Sequence, residues 1–246
     1  MAADRPRPPA DLLTGAALFL DFDGTLVELA ESPDAVAVDA RLRALLHRLS
    51  RLLDGRIAII SGRPVDGVHA LIGDASLAVA GSHGLEIRWP DGRIDVPERP
   101  EGFSRIVTQM QHFANSRPGV IVEEKPFGAA LHYRNRPEAM AESHALAAAI
   151  AEGDGHYLQH GKMMVEVRLG GADKGSALKT LMEAPEMAGA RPVFIGDDVT
   201  DEPAMAAAAA LGGAGVLVGD ARDTAAIYRL PDVAAALAWL DAACPA

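Results

Sequence analysis

The chain has 246 residues, enough for one large or two modest domains with a substantial core. A hydrophobic fraction of 49% with 23% charged residues excludes low-hydrophobicity disorder for the bulk of the chain. With 23 basic against 34 acidic residues the formal charge is −11, which argues against general nucleic-acid binding and against attraction to anionic membranes. A small anionic substrate stays open, because local positive charge can override the net field. Cys244 is the only cysteine, so no intramolecular disulfide forms, which fits a reducing compartment. The opening MAADRPRPPADLL is polar and proline-rich with no apolar h-region. The longest uncharged stretch, Ala204 to Gly219, falls short of a membrane span. A soluble cytoplasmic protein is expected.

In chain order, residues up to about Asp11 read as a loose tail. Ala16 to Phe22 is a short apolar run of buried-strand type. Asp39 to Leu53 places Leu42, Leu45, Leu46, Leu49, Leu52 and Leu53 at helical spacing, with Arg41, Arg43, Arg48 and Arg51 on the solvated face. Ile57 to Ile60 is a second buried strand. Leu85 to Val96 reads as a hairpin turning at Asp91-Gly92. Helices are predicted over Phe103 to Ala114 and Glu138 to Glu152, and strands over Val120 to Lys125, Ala129 to Tyr133 and Met163 to Arg168. Val193 to Ile195 and Val216 to Val218 are further buried strands, each followed by helix-forming sequence. The two ends therefore predict a doubly wound parallel α/β sheet, and the middle an inserted antiparallel α+β unit.

Four elements carry chemistry. Asp21-Phe22-Asp23-Gly24-Thr25 follows the first strand. Ligands bind at the carboxyl ends of strands in open α/β sheets, and two adjacent carboxylates there invite a cation such as Mg²⁺, although aspartates can also cap a turn. Ser61-Gly62-Arg63-Pro64 follows the second strand. Its hydroxyl and guanidinium suit phosphate oxygens, and its Gly and Pro also mark a turn. Lys174 opens a predicted helix, where a lysine adds to the anion attraction of the helix N-terminus. Gly196-Asp197-Asp198-Val199-Thr200-Asp201-Glu202 packs four carboxylates into a strand-to-helix turn. Thr200 or Asp201 could cap the next helix, but capping alone does not call for the Asp197-Asp198 pair, which a metal site explains better. His156 and His160 have H-x₃-H spacing but no evident third ligand or helix for zinc. Gly213-Ala214-Gly215 precedes its strand, the wrong context for a dinucleotide loop.

The order and spacing of these four elements resemble the haloacid dehalogenase-like (HAD) phosphatase superfamily, and the pattern frames nearly the whole chain. A narrower resemblance is to the trehalose-6-phosphate phosphatase family. It rests on FLDFDGTL (Phe19 to Leu26), Ser61-Gly62-Arg63, GSHGLE (Gly81 to Glu86), Glu123-Glu124-Lys125, Leu131-His132-Tyr133-Arg134 and GKMMVEVR (Gly161 to Arg168).

The resemblance implies a Rossmann-like HAD catalytic core over residues 1–85 and 169–246, with a substrate-specificity cap over 86–168 that closes to exclude bulk water. It implies a phosphoric monoester hydrolase that converts trehalose 6-phosphate to trehalose and phosphate in trehalose biosynthesis, with functional coupling to a trehalose-6-phosphate synthase. Asp21 would be the nucleophile that forms an aspartyl-phosphate, and Asp23 the general acid and then the general base. Ser61 and Lys174 would grip the phosphoryl oxygens. Mg²⁺ would be held by Asp21, the backbone carbonyl of Asp23, and Asp197, with Asp198 and Asp201 in or near the surrounding shell. Arg63, Glu123, Lys125, Lys162 and Glu166 would hold the substrate, the last four through sugar hydroxyls. The strand character of MMVEV puts Lys162 and Glu166 on one face, as His132 and Arg134 share a face of theirs. The alternatives are a phosphatase for another sugar or glucosyl-glycerate phosphate, a phosphohexomutase, or a non-catalytic sugar-phosphate sensor.

Overall fold

Two runs of strands diverge from one central strand. The structure, a computed structural model, describes residues 5–30, 36–73, 76–98, 102–152, 155–161 and 163–244. Strand β1 (Ala16–Leu20) leads through helix α1 (Ala40–Leu52) to β2 (Ile57–Ile60), then through α2 (Val65–Ile72) to β3 (Ala78–Gly81). A tight turn folds the chain back into β4 (Glu86–Arg88) and β5 (Ile94–Asp95). The inserted segment follows as α3 (Phe103–Asn115), β6 (Ile121–Lys125), β7 (Gly128–His132), α4 (Met140–Ala151), β8 (His156–Gly161) and β9 (Met164–Leu169). The chain then returns through α5 (Lys174–Met182), β10 (Arg191–Gly196), α6 (Glu202–Ala210), β11 (Ala214–Val218), β12 (Tyr228–Leu230) and α7 (Val233–Ala242).

The large sheet has the order β12-β11-β10-β1-β2-β3-β4-β5. From β12 to β3 every pairing is parallel, and β4 and β5 are antiparallel at one edge. Side-chain alternation divides each central strand between two cores. Leu18, Leu20, Ile57, Ile59, Val193, Ile195 and Val216 pack on one face with α1, α2 and α7. Ala17, Phe19, Ala58, Ile60, Phe194 and Leu217 pack on the other with α5 and α6. Burial on both faces is why these strands read as continuous apolar runs rather than alternating ones. The doubly wound parallel core expected from the sequence is present.

The helix expected over Asp39 to Leu53 is α1, with Asp39 as its N-cap, the carboxylate accepting from the Leu42 N–H at 2.8 Å. Two expectations differ from the structure. The N-terminal segment is not loose at residues 5–13. The Arg229 N–H donates to the Pro6 carbonyl at 3.0 Å, Arg5 donates to the Thr224 and Ala226 carbonyls, and Leu12 and Leu13 are buried. The edge strand β12 offers unpaired backbone groups, and this segment covers them.

The hairpin over Leu85 to Val96, expected in the inserted unit, belongs to the large sheet, where β4 pairs with β3 and β5 with β4. The chain divides into two compact units, Met1–Val96 with Ala172–Ala246, and Pro97–Gly171. The antiparallel pattern of the hairpin resembles the insert, but its hydrogen bonds go to β3.

The inserted unit is a four-stranded antiparallel sheet, β6-β7-β9-β8, with α3 and α4 packed on one face. Phe103, Ile106 and Met110 of α3 meet Ala129, Leu131, Val165 and Val167 of the sheet. The strand β8 contains His156 and His160. Among the described residues no helix is long and apolar enough to cross a membrane.

Phe194 is fully buried in β10 beside β1. Phe194→Ala is expected to destabilise the core by about 3–5 kcal/mol. Urea unfolding would show this as a lower midpoint at an unchanged slope.

Candidate active site

The sheet order reverses at β1, whose neighbours are β10 on one side and β2 on the other. A crevice opens at such a switch point beyond the carboxyl ends of the strands. Asp21 follows β1, Ser61 follows β2 and Asp197 follows β10, so three separate sequence elements end at the same edge of the sheet. Lys174 is the first residue of α5, whose N-cap Asp173 forms a reciprocal capping box with Ser176.

Lys174 joins the elements. Its ammonium donates to Asp21 Oδ1 at 2.6 Å and to Asp201 Oδ1 at 2.6 Å. All three side chains are at least 95% buried. Burial alone would lower the lysine pKa, but the two carboxylates reverse the shift and hold it protonated. Asp201 Oδ2 accepts from the backbone N–H groups of Asp197 and Asp198, each at 2.9 Å. Its oxygens are thus occupied by Lys174 and by the turn that carries Asp197. Thr25, quoted in the first motif but given no role there, places its hydroxyl 3.4 Å from Asp21 Oδ2 and 3.3 Å from Asp197 Oδ1.

Asp21, Asp197 and Asp201 each offer a ligand atom within 4.8 Å of the others, a donor set of hard oxygens suited to a divalent cation. Gly24 adds to the fit. Its φ is +85°, and a Cβ there would lie 2.2 Å from Asp197 Oδ2, so only glycine lets the first turn and the Asp197 carboxylate share this space. With the Asp201 oxygens engaged elsewhere, Asp21 and Asp197 are the carboxylates with oxygen capacity to spare. Asp198 is exposed, and its side chain caps the short turn Val199–Asp201 and accepts from the Thr200 hydroxyl at 3.3 Å.

Asp23 and Arg63 form a separate pair. Arg63 Nε donates to Asp23 Oδ2 at 2.6 Å and Nη2 to Oδ1 at 2.8 Å, a two-pronged contact. The Arg63 N–H also donates to Ser61 Oγ at 3.1 Å, and Ser61 is buried. The arginine expected to hold substrate thus rests on the expected general acid. Glu86, quoted within GSHGLE but given no role, organises this region. Its buried carboxylate accepts from the Val65 N–H at 3.0 Å and the Ser82 hydroxyl at 2.7 Å, tying the start of α2 to the turn after β3.

The remaining expected residues lie in the inserted unit. Lys125 and Glu166 pair at 2.7 Å across β7. The crossing strand is Gly128 at that level, and a Cβ there would lie 2.5 Å from Glu166 Oε1. Glu123 Oε2 accepts a hydrogen bond from His132 Nε2 at 2.7 Å. That contact, more than any other, holds the Glu123 carboxyl below its usual range. His132 is quoted within Leu131-His132-Tyr133-Arg134 but carries no assigned role there. Its strand position puts it on the Glu123 and Glu166 face, opposite α3 and α4. Lys162 lies outside the described residues.

Burial, the first cause in each case, pushes the carboxyls of Asp21, Asp197 and Asp201 up to about 6. Mutual repulsion adds to it, and Lys174 opposes it. A carboxyl raised in this way favours the folded state below its unfolded value of 3.8 and loses that contribution as pH rises through about 6. Protein stripped of divalent cations is therefore expected to melt at a lower temperature at about pH 7.5 than at about pH 5, and Mg²⁺ to raise the melting temperature more at the higher pH. Thermal scans with and without Mg²⁺ check this. An equal Mg²⁺ shift at both pH values would contradict it.

Residues 19–233 match the family model for trehalose-phosphatase. A probable trehalose-phosphate phosphatase of Sinorhizobium fredii is 42% identical over 205 residues, covering 82% of this chain and 77% of that protein. The trehalose-6-phosphate phosphatase of Escherichia coli is 35% identical over 227 residues, covering 92% and 85%. Among solved structures, the C-terminal domain of a C. albicans trehalose-6-phosphate phosphatase superposes with a TM-score of 0.81 over 99% of this chain and 98% of that one. At 23% identity that likeness speaks for the fold alone. By the model match and by these relatives, the chain belongs to the trehalose-phosphatase family and is a phosphatase of HAD fold.

Proposed function

We propose that this phosphatase hydrolyses trehalose 6-phosphate to trehalose and phosphate. The observation that carries the chemistry is the buried Asp21–Lys174–Asp201 array with Asp197 beside it, at the switch point of the sheet. Asp21 attacks the phosphorus, the bond to the sugar oxygen breaks, and an aspartyl-phosphate forms. Lys174 fixes the Asp21 carboxylate from one side, leaving its other oxygen for attack. Lys174 and Ser61 offset charge on the phosphoryl oxygens.

Asp23 donates the proton to the leaving sugar oxygen and then takes one from the water that cleaves the acyl phosphate. Both Asp23 oxygens are engaged by Arg63, so Asp23 acts only once Arg63 releases it. An incoming phosphate dianion, which suits the same two-pronged donor, is the group to which Arg63 would turn. Mg²⁺, held by Asp21, the Asp23 carbonyl and Asp197, would supply positive charge that lets these carboxylates and the phosphate share one site.

Glu123, Lys125 and Glu166, with Lys162, are assigned to the sugar. Carboxylates and ammonium groups accept and donate the hydrogen bonds that a polyol offers. A cytoplasmic location and coupling to a trehalose-6-phosphate synthase, which would supply the substrate, complete the reading.

The test is Mg²⁺-dependent phosphate release from trehalose 6-phosphate, set against sucrose 6-phosphate, glucose 6-phosphate and glucosyl-phosphoglycerate, with Asp21→Asn as the blank. Preferential release from trehalose 6-phosphate is expected. Preference for another member would overturn the sugar assignment and keep the phosphatase chemistry. Glu123→Ala and Glu166→Ala are expected to lower kcat/KM for trehalose 6-phosphate at least about tenfold more than for a small aryl phosphate. Equal losses on both substrates would exclude a sugar-holding role.

A further inference from the structure

The acidic turn after β10 is held from two sides. From within, Asp201 Oδ2 accepts both the Asp197 and the Asp198 N–H. From outside, Arg222 Nη2 donates to the carbonyl oxygens of the same two residues, at 3.3 Å for Asp197 and 2.8 Å for Asp198. Arg222 Nη1 pairs with Glu202 Oε1 and donates to the Asp223 carbonyl at 3.1 Å. The second Glu202 oxygen accepts from the Ala225 N–H at 2.7 Å, so the loop after β11 is fastened to the acidic turn at two points. Arg5 braces that loop through the Thr224 and Ala226 carbonyls.

The consequence is geometric. The backbone amides and carbonyls of Asp197 and Asp198 all have charged partners. The direction of the Asp197 carboxylate follows from the backbone of this turn. Four carboxylates, at 197, 198, 201 and 202, also repel one another here, and a guanidinium among their carbonyls offsets that repulsion. The side chain of Arg222 also lines, with Gly24 and Asp197, a cleft of about 470 Å³ in the core. Nothing in the local sequence GDARDT announces this role, because the contact crosses from the loop of one strand to the loop of its neighbour.

We propose that Arg222 is a positioning residue for the metal-binding turn, setting the direction of the Asp197 carboxylate and so the affinity of the core for a divalent cation. The proposal rests on the reading of Asp197 as a metal ligand, and the experiment separates the two. Mg²⁺ binding to the whole 246-residue chain is measured directly by titration calorimetry for the unmodified sequence, Arg222→Gln, Arg222→Lys and Asp197→Asn.

Groups that orient metal ligands typically contribute about 10- to 100-fold in affinity, so Arg222→Gln is expected to weaken Mg²⁺ binding by that factor. Arg222→Lys keeps the charge but lacks the planar fork, and is expected to lie between. Phosphate release by Arg222→Gln is expected to recover when Mg²⁺ is raised to saturation, which a general loss of folding would not allow. If Asp197→Asn leaves Mg²⁺ affinity unchanged, the metal reading itself fails. If Asp197→Asn abolishes binding while Arg222→Gln stays within about twofold of the unmodified chain, the positioning role is overturned. Should Arg222→Gln not fold, Arg222→Lys decides alone: binding weaker by about threefold or more supports the role, and unchanged binding overturns it.

Discussion

The site depends on one buried ammonium. Lys174 touches Asp21 and Asp201 at 2.6 Å each, and none of the three side chains is more than 5% exposed. An isolated buried charge is strongly disfavoured, so each member of this trio needs the others. One lysine cannot balance three neighbouring aspartates: burial first, and their mutual repulsion after it, raise the carboxyl pKa values of Asp21, Asp197 and Asp201 against the opposing pull of Lys174. The unbalanced negative charge is what a divalent cation would offset, and under the proposed reading that cation lets an anionic phosphate share the site. Stability and function pull in different directions here, and the doubly wound core around β1 supplies the apolar burial that tolerates the conflict.

The turn after β10 shows how a fold makes an acidic loop rigid. Asp201 faces inward and accepts from the backbone amides, and Arg222 reaches in from the next loop and donates to the carbonyls. Gly24 gives the facing turn room for the Asp197 carboxylate. In the proposed reaction none of these groups forms or breaks a bond, yet each narrows where a reacting group can stand.

The inserted unit follows another rule. Its central strand β7 carries Gly128 and Ala130 on the face away from the helices, so longer side chains from the flanking strands can meet across it. Lys125 reaches Glu166 over Gly128, and Glu123 leans toward His132 beside Ala130. A sheet face with small residues in the middle and charged residues on either side presents paired donors and acceptors, an arrangement suited to a polyhydroxyl ligand.

The sequence by itself determined the strand and helix alternation, the doubly wound core and the four motifs, three at strand ends and one at a helix start. Buried parallel strands are continuous apolar runs, and the residues at their carboxyl ends must be polar enough to face a crevice. Those signals are local in the chain. The tertiary structure decided what no local signal holds. It put the hairpin after Gly81 on the large sheet, because hydrogen bonds to β3 rather than the antiparallel pattern fix its place. It laid the N-terminal segment along β12, engaged Arg63 with Asp23, and brought His132 to Glu123. It also brought Arg222 to a turn more than twenty residues away. Each of these is a pairing between groups distant in sequence, and a guanidinium or an imidazole carries no mark in the sequence of which carboxylate or carbonyl it will find.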